Sequence, residues 1–177
     1  MNYAWIHLGS VHFPIALAVI SMLLVIFALI TRSPARLKFA LELVVIGALF
    51  SWVPYRTGED AEDVVKQTAV ADVDLKHFIH EHEEWAERAH IAFQVSGGLA
   101  LLGWFFCRKT EKFNMPLAVL ALLAIGTTAG LMGWTGHLGG KVRHTEVRSV
   151  GVTQSDRPAG QPMSAAPAQE TEDDDDR

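Results

Sequence analysis

Residues 13–31 read FPIALAVISMLLVIFALIT, nineteen side chains without a charge, and residues 115–134 read MPLAVLALLAIGTTAGLMGW, twenty more without one. The hydrocarbon core of a bilayer takes about 20 apolar residues of helix, with roughly 17 tolerated. Both stretches reach that length outright. A helix of this size in water shows a polar stripe on its solvent side, and neither stretch has one. Working outward, residues 37–53 carry only Lys38 and Glu42, and residues 91–107 carry no charge. These two are shorter and lean on aromatics near their ends (Trp52, Tyr55, Trp104), as Trp134 serves the last, in the interfacial role tryptophan and tyrosine favour. The reading is an all-α chain with transmembrane spans at about 13–31, 37–53, 90–107 and 115–135.

The connections set the topology. Arg32–Lys38 and Arg108–Lys112 are short, so each joins antiparallel neighbours, and the fold expected is an up-down four-helix bundle. Both turns are basic, with Arg32, Arg36 and Lys38 in one and Arg108, Lys109 and Lys112 in the other, so the positive-inside rule places them in the cytoplasm. Tyr55–His90 has ten acids against four bases and belongs outside. Both termini then lie outside as well, in a multi-pass protein of the bacterial inner membrane. The segment before residue 13 has no Lys or Arg, while Arg32 and Arg36 follow the first run, the reverse of a signal peptide's charge order. The outer connection reads as helical over residues 58–67 and 73–88, the second part running straight into the third span. Gly126 and Gly130 have the spacing that lets two membrane helices approach closely. Gly139 and Gly140 read as the end of the fourth helix. Residues 1–150 form one membrane domain, and 151–177, rich in Pro, Ala, Gln, Ser and Asp, form a disordered acidic tail. Glu42 pairs with Lys38 one turn away.

All eight histidines fall on the outer side of this topology. His7 and His12 precede the first span, His77, His80, His82 and His90 lead into the third, and His137 and His144 follow the fourth. Imidazole is the commonest metal and haem ligand. His7 and His12 stand about 140° apart on a regular helix and do not chelate one ion together. His82 shares a face with Ala86, Ala89, Phe93 and Gly97, which offers a ligand beside small residues. His77 and His80 share their face with Glu84 and suit a solvated helix surface. The lone Cys107 excludes an intramolecular disulfide and any paired-cysteine site. With a net charge of −5 and no basic, aromatic-interleaved patch, nucleic acid is not a partner.

Four blocks carry a resemblance. They are Ile6-His7 with His12-Phe13-Pro14; Thr57-Gly58 with Ala61-Glu62, after Pro54; His82-Glu83 with Ala86; and Leu138-Gly139-Gly140 with Val142-Arg143-His144 and Glu146. Their order resembles an uncharacterised bacterial family of predicted four-span integral membrane proteins with blocks IHxxxxHFP, TGxxAE, HExxA and LGGxIRHPEI. The likeness spans residues 6 to about 148 and departs at Thr145, where the family has proline. It implies that the four blocks belong together, and by position it singles out His7, His12, His82 and His144, with Arg143 and Glu146.

The leading expectation is a redox protein that holds b-type haem through His7, His12, His82 and His144, with Arg143 on a propionate. It would exchange electrons with a quinol or a periplasmic cytochrome. The alternative is a transition-metal site of the same histidines, with His90, His137, Glu83 and Glu146 in second rank. Such a nitrogen and oxygen shell suits zinc, iron, manganese or copper(II). A third reading is a non-catalytic membrane subunit. His82-Glu83-Glu84-Trp85-Ala86 lacks the second histidine of a zincin, and no nucleophile motif occurs, so an electron-transfer or binding protein is expected rather than a hydrolase.

Overall fold

The computed structural model describes residues 3–68 and 73–144, and every element among them is helical. In chain order these are α1 (Tyr3–Ser10), α2 (His12–Thr31), α3 (Pro34–Phe50), α4 (Trp52–Thr68), α5 (Val73–Cys107) and α6 (Met115–Arg143). Helices α2, α3, α5 and α6 form a four-helix bundle in which α2 packs on α3 and α6, and α5 packs on α3 and α6. Helix α1 lies on α4 at the polar end. The tail expected from residue 151 lies outside the described residues.

The helix starts follow from sequence. Ser33 and Asn114 are extended, and their side chains accept from the backbone N–H groups of Arg36 and Leu117, at 3.4 and 3.0 Å. Pro34 and Pro116 follow in the first turns, where the missing N–H costs nothing. Arg32 ends α2 in the left-handed conformation, with φ of 48°. The two short turns are tied together, since Lys38 Nζ donates to the Arg108 carbonyl at 3.3 Å.

The surface of the bundle is the apolar side. Ile30, Leu123 and Phe106 are 75%, 65% and 79% exposed, while alanines recur among the fully enclosed positions (Ala18, Ala28, Ala40 and Ala118), beside Leu41, Ile125 and Phe93. Large apolar groups outside and alanine inside is the arrangement for lipid, not for water. Four helical stretches, of 28 to 33 residues, are long and apolar enough to cross a membrane. The chain is a multi-pass membrane protein. A span uses about 20 residues, so the stretches overshoot the hydrocarbon. The part of α5 that projects is the charged run from Lys76 to Arg88.

The seam is regular. Helix α2 buries Pro14, Ala18, Ser21, Val25 and Ala28, and α6 buries Ala118, Ala121, Ile125, Thr128 and Met132. Steps of three and four residues are the spacing of knobs-into-holes packing. The glycines that bring helices together are not those the sequence pointed to. A Cβ on Gly97 would lie 2.5 Å from Ala48 Cβ, and one on Gly47 would lie 2.5 Å from Phe93 Cζ. Phe93 is the largest side chain that is fully buried, and it fits because Gly47 has none. At Gly126, Gly130 and Gly133 an added Cβ meets nothing within 4 Å. They lie off the α6 seam, because spacing alone does not say which face a GxxxG pair occupies.

Three further expectations are corrected. Helix structure begins at Tyr3, with only Val11 between α1 and α2. Helix α6 does not end at Gly139 and Gly140 but runs to Arg143, and the His144 N–H caps it on Gly140 O at 2.8 Å. Glycine inside a helix costs only about 1 kcal/mol, so packing overrides it here. Glu42 takes not Lys38 but the Trp104 indole, whose Nε1 donates to it at 2.8 Å.

Gly97→Ala should therefore destabilise the bundle by about 1–3 kcal/mol through overpacking. Gly130→Ala, facing open space, should be neutral or stabilising by up to about 1 kcal/mol. Thermal unfolding in detergent compares the two, and equal effects would contradict the seam described.

Candidate functional site

Two imidazoles from distant parts of the chain meet at the polar end of the bundle. His7, on α1, lies against α4, and its Nδ1 donates to the Pro54 carbonyl at 2.9 Å. Gly58, one turn further along α4, lies beside the ring, and a Cβ there would meet His7 Cε1 at 3.6 Å, an ordinary packing contact. His82, on the projecting part of α5, lies against α6, and its Nδ1 donates to the Thr135 carbonyl at 3.0 Å. Gly139, one turn on, would place a Cβ only 3.1 Å from His82 Cε1. That contact explains the glycine held inside α6.

A carbonyl oxygen only accepts, so Nδ1 carries the proton in both rings. Both residues precede the spans that start at about residues 13 and 90. Burial pushes the His7 imidazole below its ordinary pKa, against a smaller opposing effect of its bond to Pro54. Burial does the same to His82, against smaller effects of its bond to Thr135 and of Glu62, while charge on His7 adds to the lowering. Charge on His7 is thus near enough to act on His82. Each is a neutral imidazole with Nδ1–H fixed to the main chain and a bare Nε2 lone pair. This is the state in which histidine ligates, and the anchored N–H is the customary support of a metal-ligating ring.

Residues of four separate segments make this site. His7 comes from the first, Pro54 and Gly58 from the second, His82 from the third, and Thr135 and Gly139 from the fourth. Sequence reasoning found both histidines. It missed the two carbonyl anchors, which have no side-chain signature, and it took Gly139 for a helix end.

The other candidates differ in burial. His12 is exposed at the start of α2 and His144 is exposed at the end of α6, whereas His7 and His82 are half-buried. His12 is five residues beyond His7, on another side of the helical path. His137 is exposed, its ring tilted against Trp134 at 5.5 Å, and Glu83 is exposed. His77 and His80 are exposed beside Glu81 and Glu84, at 3.6 and 3.4 Å, as a solvated face requires. The Arg143 side chain and Glu146 lie outside the described residues. His90 is 6% exposed, with Nδ1 3.1 Å from Ser51 Oγ. Among the described residues no three His, Cys, Asp or Glu side chains converge as a metal ion would need.

Comparison with family models, with curated proteins and with solved structures finds no match.

The lowered imidazole affinities carry a pH signature with a definite sign. In the unfolded chain these groups bind a proton near the ordinary imidazole value of 6.5, and in the folded chain only at lower pH. Stability is therefore full above that value and declines as pH falls below it, because the unfolded state then holds more protons. Thermal unfolding followed from about pH 8 to about pH 5 should show that decline, and His7→Gln with His82→Gln should flatten it. An unchanged slope in the double variant would show that other groups cause it.

Proposed function

We propose that this protein is a membrane redox protein that binds b-type haem between His7 and His82 at its outer face and passes electrons there. The observation that carries the reading is the matched pair of imidazoles, each with Nδ1 tied to a carbonyl and with no Nε2 hydrogen bond among the described residues. A bare metal ion asks a protein for about three or four donors. Two imidazoles are the complement for a metal whose macrocycle brings its own equatorial nitrogens. Gly58 and Gly139 support the fit, since neither puts a side chain against the rings. Bound there, the iron would take up and hand on one electron at a time.

The chain's own groups then have separable roles. The Pro54 and Thr135 carbonyls fix the plane of each imidazole and raise its basicity as a ligand. Burial keeps both rings unprotonated at neutral pH. Arg143, four residues past Gly139, would be the cation for a propionate. The electron partner is a quinol in the bilayer or a periplasmic cytochrome. The basic turns support a site on the periplasmic side of a bacterial inner membrane, with both termini outside. The resemblance to four-span proteins belongs to the same proposal, since its four blocks supply His7, Gly58, His82 and Gly139. A second reading rests on Glu62, whose charge acts on His82. His7 and His82, with donors beyond those that converge among the described residues, would then make a nitrogen and oxygen shell for zinc, iron, manganese or copper(II).

Absorption spectra of the detergent-purified protein decide between them. The haem reading expects a Soret band that sharpens on dithionite reduction with resolved α and β bands. His7→Ala and His82→Ala should each remove most of it, and His12→Ala should leave it in place. A colourless protein with stoichiometric zinc, iron, manganese or copper by elemental analysis would replace haem by the second reading, and a colourless metal-free protein would end both.

A further inference from the structure

His90 is used by neither reading, and its surroundings are unusual for a bilayer edge. Ser51, the one residue between α3 and α4, donates its hydroxyl to the Ala48 carbonyl at 2.7 Å. The same oxygen accepts from Gln94 Nε2 at 2.9 Å and lies 3.1 Å from His90 Nδ1. Gln94 Nε2 also donates to the Ala48 carbonyl, at 2.8 Å. A serine hydroxyl has one proton and two lone pairs. Its proton is on Ala48, by the shorter bond, and Gln94 fills one lone pair, so the other must accept from Nδ1–H of His90. In the neutral ring Nε2 is then a bare acceptor. That Nε2 is buried and has no hydrogen-bond partner among the described residues.

The ring is clasped by aromatics. Tyr55 stacks on it at 4.2 Å and 5° between planes, and Trp52 meets it edge-on at 4.7 Å and 81°. Both clasping rings reach the surface, Trp52 being 46% and Tyr55 39% exposed. Tyr55 is also the neighbour of Pro54, whose carbonyl holds His7. His82 and His90 are eight residues apart on α5, about 12 Å along the axis, with His90 on the bilayer side.

We infer that His90, Trp52 and Tyr55 form the docking site for the hydroxylated aromatic head group of a membrane quinol, whose O–H donates to the bare Nε2 of His90. An aromatic ring with a hydroxyl at its edge is the chemistry that a stacking cage with one buried acceptor selects. The place is the outer end of spans two and three, where Trp52 and Tyr55 are partly exposed to lipid and would part to admit a head group to the buried Nε2. The role of this site as electron entry rests on the proposed redox function; the binding itself does not.

The test uses decylubiquinol and its bis-methyl ether, which has the same ring and tail but no hydroxyl donor. Each is titrated into the detergent-solubilised protein, with tryptophan fluorescence as readout. The quinol should quench saturably and bind about ten-fold tighter than the ether, the worth of one buried hydrogen bond. His90→Phe should abolish that preference. Ser51→Ala, which keeps the imidazole but frees its tautomer, should reduce it several-fold, and it covers the case in which His90→Phe fails to fold. Equal binding of quinol and ether by the wild type, a preference that survives in both variants, or no saturable quenching (a water held on Nε2) would overturn the inference. Quinol binding by a protein without a Soret band would leave this site standing and remove the haem.

Discussion

Lipid tails are as apolar as leucine, so helices inside a bilayer are held together by how closely their backbones approach. That constraint shapes this molecule. The seam is made of Ala18, Ala28, Ala40, Ala89, Ala100 and Ala118, with Gly47 and Gly97 where two helices come nearest. Many large side chains are sent outward to lipid, and Phe93, the largest of those kept inside with Leu37, Leu41 and Ile125, fits because Gly47 has no side chain. The Ser96–Thr128 hydroxyl pair, 2.9 Å apart, satisfies two buried polar groups that have no water to turn to.

The same constraint builds the site at the polar end. His82 packs against α6 where Gly139 lacks a side chain, and it reaches the Thr135 carbonyl there. His7 reaches the Pro54 carbonyl of α4 in the same way, beside Gly58. The carbonyl bond orients the ring, assigns its proton and leaves the outer nitrogen bare. Burial then keeps the ring neutral. His90 shows a related solution, with a serine hydroxyl in place of the carbonyl.

Overshoot is what gives the bundle a functional end. The 35 residues of α5 and 29 of α6 are more than a bilayer uses, so α5 and α6 continue past the hydrocarbon side by side. His82 and Thr135 face each other across that extension. Helix α1 on α4 adds a second pair of elements beside it. Imidazoles that would be costly at mid-membrane sit where water and headgroups begin.

The sequence by itself determined the helical class, the spans and the gathering of histidines at one end, because uncharged runs of bilayer length and short basic turns are local signals. It also pointed to His7 and His82. Which histidines meet was decided only by tertiary structure, because that depends on where α1 packs and on which face of α6 turns toward α5. The carbonyls of Pro54 and Thr135 carry no residue code, and the role of Gly139 appears only once a ring from another helix lies upon it. The GxxxG pair in α6 misled for the same reason: spacing is written in the chain, but the face it presents is set by the packing of the whole bundle.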